Sequence, residues 1–129
     1  MTEPAGDAKP RVLVVDDEPR MGKALQRLLA HRYRVTVATS ARQALAVLDG
    51  GVEVDAIVCD LMMPEMTGID LYEALRARRP GLAARVLFMS GGAYTEDAQE
   101  FLAQVPHRRL DKPFRPEELE RALERVLGG

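Results

Sequence analysis

The chain has one cysteine, no tryptophan and two histidines in 129 residues, and each shortage excludes something. A single thiol, Cys59, cannot close an intramolecular disulfide, so this is not a cysteine-stapled fold. His31, His107 and Cys59 form no Cys and His cluster that would hold a soft metal. Aromatic residues make up 5% of the chain against 47% hydrophobic residues, so the core must be assembled from Val, Leu, Ile, Ala and Met. No apolar run approaches membrane-spanning length, and the opening MTEPAGDAKP lacks the apolar stretch of a signal peptide. Charge of one sign is also missing. Lys and Arg number 18 against 20 Asp and Glu, a formal net charge of -2, which supplies no electrostatic footprint for nucleic acid. The expectation is a soluble, cytoplasmic protein with no direct nucleic-acid or membrane partner.

The length suits one domain. Residues 1–10 offer almost nothing to bury and read as a flexible lead, with the folded domain spanning 11–129. From Arg11 onward, short apolar runs alternate with stretches of helical spacing, the pattern of parallel strands joined by crossover helices. Five strand–helix pairs can be counted. Val12 to Val15 is apolar on both faces, as a central parallel strand should be. Pro19 suits a first helical turn, and Met21, Leu25, Leu28 and Leu29 share one helix face. Val35 and Val37 suggest an edge-like second strand, and Ser40 with Gln43 makes a capping-box pattern before a helix closed by Gly50 and Gly51. Val54 to Cys59 is a third buried run. After a loop, a helix carries Ile69, Leu71 and Leu75 to about Arg79, ahead of Pro80-Gly81. Val86 to Met89 is a fourth strand, followed by a short helix from Thr95 to about Gln104. A polar fifth strand, Arg108 to Leu110, reads as an edge, and the last helix carries Leu119, Ala122, Leu123, Val126 and Leu127.

Polar residues fall at the ends of four of these strands: Asp16 and Asp17, Asp60, Ser90, and Lys112. In an open parallel α/β sheet the carboxyl ends share one edge, and ligands bind outside it near the point where strand order reverses. Four sequence-distant groups therefore converge on one crevice. Three crowded carboxylates repel one another unless a cation neutralises them, and Mg2+, a hard ion taking oxygen ligands, suits this set. Lys112 adds a fixed positive charge and Ser90 a hydroxyl, the parts needed to hold a transferring phosphoryl group. Asp60 would be the nucleophile, forming an aspartyl phosphate.

The successive segments VLVVDDEP, VDAIVCDLMMPEMTGIDL, VLFMSGG and LDKPF resemble the motifs of the response-regulator receiver domain, over roughly residues 11 to 128. The resemblance implies a flavodoxin-like, doubly wound (βα)5 fold with a five-stranded parallel sheet in order 2-1-3-4-5. It implies that Asp17 and Asp60 bind Mg2+ through carboxylates, that Asp16 acts largely through a metal-bound water, and that Met62 contributes its backbone carbonyl. Ser90 would donate to a phosphoryl oxygen, Lys112 would pair with another, and the Gly91 amide would line the pocket. The Lys112–Pro113 peptide would be cis. The implied donor is a sensor histidine kinase or a histidine phosphotransfer protein, and the implied assembly a monomer or phosphorylation-dependent dimer.

Two departures from the family pattern carry expectations of their own. Where many receivers place a Tyr or Phe three residues before the lysine, this chain has Arg109. Either Arg109 makes an alternative polar coupling, or, as preferred here, the face formed by the fourth and fifth elements does not switch in the common manner. Met62 and Gly92 stand two residues beyond Asp60 and Ser90, and neither can position an attacking water, so self-dephosphorylation should be slow. The stretch from Phe88 through Phe114 resembles receivers of hybrid histidine kinases more than those of transcription factors. It implies a stand-alone relay protein or a domain of a larger kinase, and Met1 favours the former.

Other readings fare less well. An aspartyl phosphohydrolase of similar chemistry generally has a second acid two residues after its nucleophile, where this chain has Met62. A flavin module would need a Ser, Thr and Gly-rich phosphate loop where Asp16, Asp17 and Glu18 stand. Taken singly, Asp60 is as readily a loop or cap group, Ser90 a turn residue and Lys112 an ordinary strand end, so the functional reading rests on the set. Cys59 reads as a small core residue, Met63 as packing, and the Glu117, Glu118, Arg121 and Arg125 group as a solvated helix face.

Overall fold

The computed structural model describes residues 9–91, 95–105 and 108–128. Its elements run β1 (Arg11–Val15), α1 (Pro19–Leu29), β2 (Arg34–Ala38), α2 (Ala41–Asp49), β3 (Ala56–Asp60), α3 (Gly68–Arg78), α4 (Pro80–Ala83), β4 (Val86–Ser90), α5 (Glu96–Gln104), β5 (Arg109–Asp111) and α6 (Pro116–Gly128). All pairings are parallel and the strand order is β2-β1-β3-β4-β5, the flavodoxin-like doubly wound arrangement.

Alternation along the buried strands sends side chains to two separate cores. Leu13, Val15, Ile57, Cys59, Val86 and Phe88 face α2, α3, α4 and α5. Val12, Val14, Val58, Leu87, Met89 and Leu110 face α1 and α6. Both sheet faces are thus covered, which is why β1, β3 and β4 read as continuous apolar runs. β2 and β5 lie at the two edges, as their mixed polarity suggested. In α1 the packing against β2 is close: a Cβ on Gly22 would stand 2.6 Å from Val37 Cγ1.

Local signals account for most boundaries. Pro19 opens α1. Ser40 Oγ accepts the Gln43 N–H at 3.0 Å. The returning arm of this cap reaches one residue further than expected, because Gln43 Oε1 accepts from Thr39 N–H and hydroxyl rather than from Ser40. The third and fifth strands are each shifted toward the carboxyl edge relative to the sequence reading, to Ala56–Asp60 and Arg109–Asp111. Pro80-Gly81 does end α3, but it also starts the one-turn α4, since proline suits a first helical position. His107, read from the sequence as no metal ligand, lies outside the described residues.

Candidate functional site

The parallel register brings the carboxyl ends of the strands together. The Asp16 N–H is bonded to the Ala38 carbonyl of β2 at 3.1 Å, and the Leu61 N–H to Met89 of β4 at 2.9 Å. The Lys112 N–H bonds the Ser90 carbonyl at 2.7 Å, which carries the lysine to the end of β4. The Lys112–Pro113 peptide is cis. Lys112 Nζ then lies 3.6 Å from Asp16 Oδ2 and 3.6 Å from Asp60 Oδ1. Carboxylate oxygens of Asp16, Asp17 and Asp60 all fall within 4.8 Å of one another.

These charges are held in unequal surroundings. Asp16 is 1% exposed and Asp60 9%, as against an exposed Asp17. Burial, with the Asp16 and Asp17 charges adding and Lys112 opposing, pushes the Asp60 carboxyl up to about 6. Burial also raises Asp16, against the Glu18 backbone N–H that its Oδ1 accepts at 2.9 Å. Among the described residues, two buried polar atoms, Asp16 Oδ2 and Ser90 Oγ, have no hydrogen-bond partner, although the Lys112 charge stands 3.6 Å from Asp16 Oδ2. Leaving such atoms unpaired costs about 1–3 kcal/mol each, a cost that a bound ligand can remove. A hard divalent cation fits the residues present: it would relieve the carboxylate repulsion and complement the Asp16 oxygen that accepts no hydrogen bond among the described residues.

The loop after β3 is shaped to hold Asp60 in place. Leu61 is buried while Met62 is 40% exposed, so the Met62 side chain stands apart from the core. Met63 is buried in the α2–α3 core, as expected of packing. Glu65 adopts a positive φ of 66°, and Thr67 and Asp70 form a reciprocal capping box that starts α3. The Gly68 N–H returns to the Leu61 carbonyl at 2.8 Å. A Cβ on Gly68 would lie 2.8 Å from the Asp60 carbonyl oxygen and 3.0 Å from Leu61 Cα. Sequence reasoning missed both this glycine and the cap, although Thr67 followed three residues later by Asp70 is a recognisable cap signature.

The remaining expectations divide. Gly91 follows β4 and is exposed, whereas Gly92 lies outside the described residues. Cys59 is buried, with its thiol pushed up by burial and by the Asp60 charge, so it is a core residue. His31 faces Glu120 on the surface at 3.5 Å, away from the acidic cluster. Arg109 stands opposite Phe88 in the β4–β5 register and pairs with Asp111 at 2.9 Å. Aromatic residues do gather on one face of β4, but from α3, β4 and α5 rather than from β5: Tyr72, Phe88 and Phe101 meet edge to face at centroid distances of 5.0–5.7 Å. The Arg108 guanidinium covers Tyr72 at 5.5 Å and donates to the Ala83 carbonyl at 2.8 Å.

Sheet order and the acidic cluster at the carboxyl edge define a doubly wound α/β protein of the flavodoxin-like class. Within that class, the model of the response regulator receiver domain matches residues 12–124, and the chain belongs to that family. Two-component response regulator ORR3 of Oryza sativa subsp. indica is 33% identical over 127 residues, covering 98% of this chain and 97% of that protein. Hydrogenase transcriptional regulatory protein HoxA of Cupriavidus necator is 35% identical over 117 residues, which span 88% of this chain and 23% of HoxA. Among solved structures, chemotaxis protein CheY4 of Vibrio cholerae superposes with a TM-score of 0.78 at 30% identity, over 93% of this chain and 100% of CheY4. The Francisella response regulator 1452 receiver domain gives 0.76 at 29% identity, over 93% and 98%. The family assigns the chain a phosphoacceptor role in two-component signalling. No described helix is long and apolar enough to cross a membrane.

Proposed function

We propose that residues 11–129 form one receiver domain, preceded by a lead of residues 1–10, and that Asp60 takes a phosphoryl group from a phosphohistidine. The donor is a sensor histidine kinase or a histidine phosphotransfer protein. The observation that carries this reading is that Asp60 ends β3 with Lys112 Nζ 3.6 Å from its Oδ1 and, at 9% exposed, stays open to an incoming donor where the equally close Asp16 is 1% exposed.

In the transfer, an Asp60 carboxylate oxygen forms a bond to phosphorus as the phosphorus–nitrogen bond to imidazole breaks, and the imidazole takes up a proton. Lys112 pairs with a phosphoryl oxygen. The Ser90 hydroxyl, buried and without a hydrogen-bond partner among the described residues, donates to a second, and the Gly91 N–H lines the same pocket. Asp17 and Asp60 carboxylates, the Met62 carbonyl and, through water, Asp16 would hold Mg2+, which supplies positive charge against the incoming phosphoryl oxygens. After transfer, a Ser90 hydroxyl drawn to the phosphoryl group takes the following loop with it, so local chemistry becomes a surface change.

The test is incubation with acetyl phosphate and Mg2+, followed by mass measurement on wild type and Asp60→Asn. Gain of one phosphoryl group by the wild type alone supports the assignment. Phosphate uptake that survives the substitution unchanged overturns it.

A further inference from the structure

Sulfur is distributed unevenly over this fold. Cys59 lies in the core at 0% exposure, with burial pushing its thiol far up, so it offers no thiolate to an oxidant. Met63 and Met89 are buried, and Met21 and Met66 are half-buried against the two cores. Met62 is the exception at 40%, one of two large apolar side chains exposed among the described residues. Its neighbours fix its stance. Leu61 and Met63 are held in the core on either side, and the Leu61 N–H bonds the Met89 carbonyl at 2.9 Å. Met62 therefore faces solvent because the chain around it is anchored, and packing gives no reason for a thioether there.

The position matters because of its nearness to the phosphoacceptor. Two residues of fully extended chain span at most about 7 Å, so the Met62 Cα stands within that reach of the Asp60 Cα. A side chain of this length can enter the space over the carboxylate, which opens to solvent at the same strand end. Hydrolysis of an aspartyl phosphate needs a water held in line with the bond that breaks. A thioether sulfur is a weak acceptor for such a water. The sulfoxide is a different group, polar and carrying an oxygen that accepts hydrogen bonds.

We infer that Met62 is an oxidation site through which peroxide shortens the life of the phosphoryl group on Asp60, an inference that rests on the phosphoacceptor reading above. Hydrogen peroxide delivers one oxygen to the Met62 sulfur. A sulfur lone pair forms the S–O bond, the O–O bond breaks and water leaves, so sulfur is oxidised and peroxide reduced. The sulfoxide oxygen holds a water against the phosphorus, and attack by that water releases orthophosphate and returns Asp60 as a carboxylate. A methionine sulfoxide reductase drawing on a dithiol removes the oxygen as water, leaves a disulfide and resets the site.

The experiment treats the full chain with hydrogen peroxide, removes the excess with catalase and maps oxygen gain by peptide mass. Met62 is expected to gain oxygen ahead of Met21, Met63, Met66 and Met89. Treated and untreated chains are then phosphorylated with acetyl phosphate in Mg2+ buffer, freed of the donor and followed by loss of phosphoryl mass. The lifetime in the oxidised chain should fall by about tenfold, the weight of one ordinary hydrogen bond. The two methionine sulfoxide reductases, one for each epimer, should restore it with dithiothreitol. Met62→Leu, compared with its own untreated form, should show no effect of peroxide on lifetime. Met62→Gln, whose amide oxygen stands in for the sulfoxide, should lose phosphate faster without peroxide. Earlier oxidation of another of these methionines, an unshortened lifetime in the oxidised chain, or an equal effect of peroxide on Met62→Leu overturns this inference alone. Failure of the untreated chain to take phosphate at Asp60 overturns the phosphoacceptor reading and this inference with it.

Discussion

Gly68 and Asp60 are locked together: a single added carbon on Gly68 would sit 2.8 Å from the Asp60 carbonyl oxygen. The start of α3 therefore rests directly on the end of β3, and the loop between them has little freedom to move the phosphoacceptor. Backbone atoms cannot yield as a flexible side chain could. Gly68→Ala is expected to cost about 1–3 kcal/mol, the usual range for overpacking, and to slow phosphorylation from acetyl phosphate. Urea unfolding and mass measurement check the two effects. Wild-type stability in the substituted chain would contradict the contact.

Lys112 opposes the burial that raises the Asp60 carboxyl. Lys112→Met should therefore push the Asp60 carboxyl higher still, and should slow phosphoryl uptake by about 10²–10³, as for loss of one preorganised electrostatic partner. Carboxyl NMR titration and single-turnover kinetics are the measurements. A rate loss with no rise in the Asp60 titration would separate phosphate contact from the lysine's effect on the carboxylate.

The pH dependence follows from the same carboxyl. With its folded value raised from 3.8 to about 6, Asp60 binds its proton more readily folded than unfolded. Its contribution to stability is therefore favourable at low pH and is lost as pH rises from about 4 to about 6, the cost being fully present at pH 7. A displacement of that size corresponds to at most about 3 kcal/mol. In chelating buffer, Asp60→Asn should stabilise the chain at pH 7 by about 1–3 kcal/mol and leave it little changed near pH 4. Added Mg2+ should favour the wild type and shrink the difference. Thermal melts across this pH range decide it, and equal melting of the two chains at pH 7 without metal would sink the argument.

A phosphoryl group on Asp60 should be long-lived. The residues two beyond Asp60 and two beyond Ser90 are Met62 and Gly92, and neither has a polar side chain with which to orient a water. Following loss of mass over time in Mg2+ buffer reads the lifetime. Decay within seconds would refute the expectation, and Met62→Asn or Met62→Glu should shorten it.

Much of the site could be seen in the chain because parallel-sheet topology turns sequence order into spatial order. Asp16, Asp60 and Ser90 each follow an apolar run and Lys112 follows a short polar edge strand, and strands running the same way must end on the same edge. Arg109 was visible as a departure, but its Asp111 partner and the aromatic group of Tyr72, Phe88 and Phe101 were not. These three residues come from α3, β4 and α5, and no local spacing says that two helices and a strand will bring their rings to one place. The return of Gln43 to Thr39 was similarly hidden, since a long amide side chain can reach either of two neighbouring donors.

The sequence alone determined the strand–helix alternation, the two edge strands and the set of groups at the carboxyl edge, because hydrophobic period and strand direction are properties of the chain itself. Only the tertiary structure decided that Asp16 Oδ2 and Ser90 Oγ are buried without a hydrogen bond among the described residues, that Lys112 stands between two carboxylates, and that Gly68 has no room for a side chain. Those facts depend on distances of a few ångströms between segments far apart in sequence, which are set by how the sheet and its helices pack rather than by any local pattern.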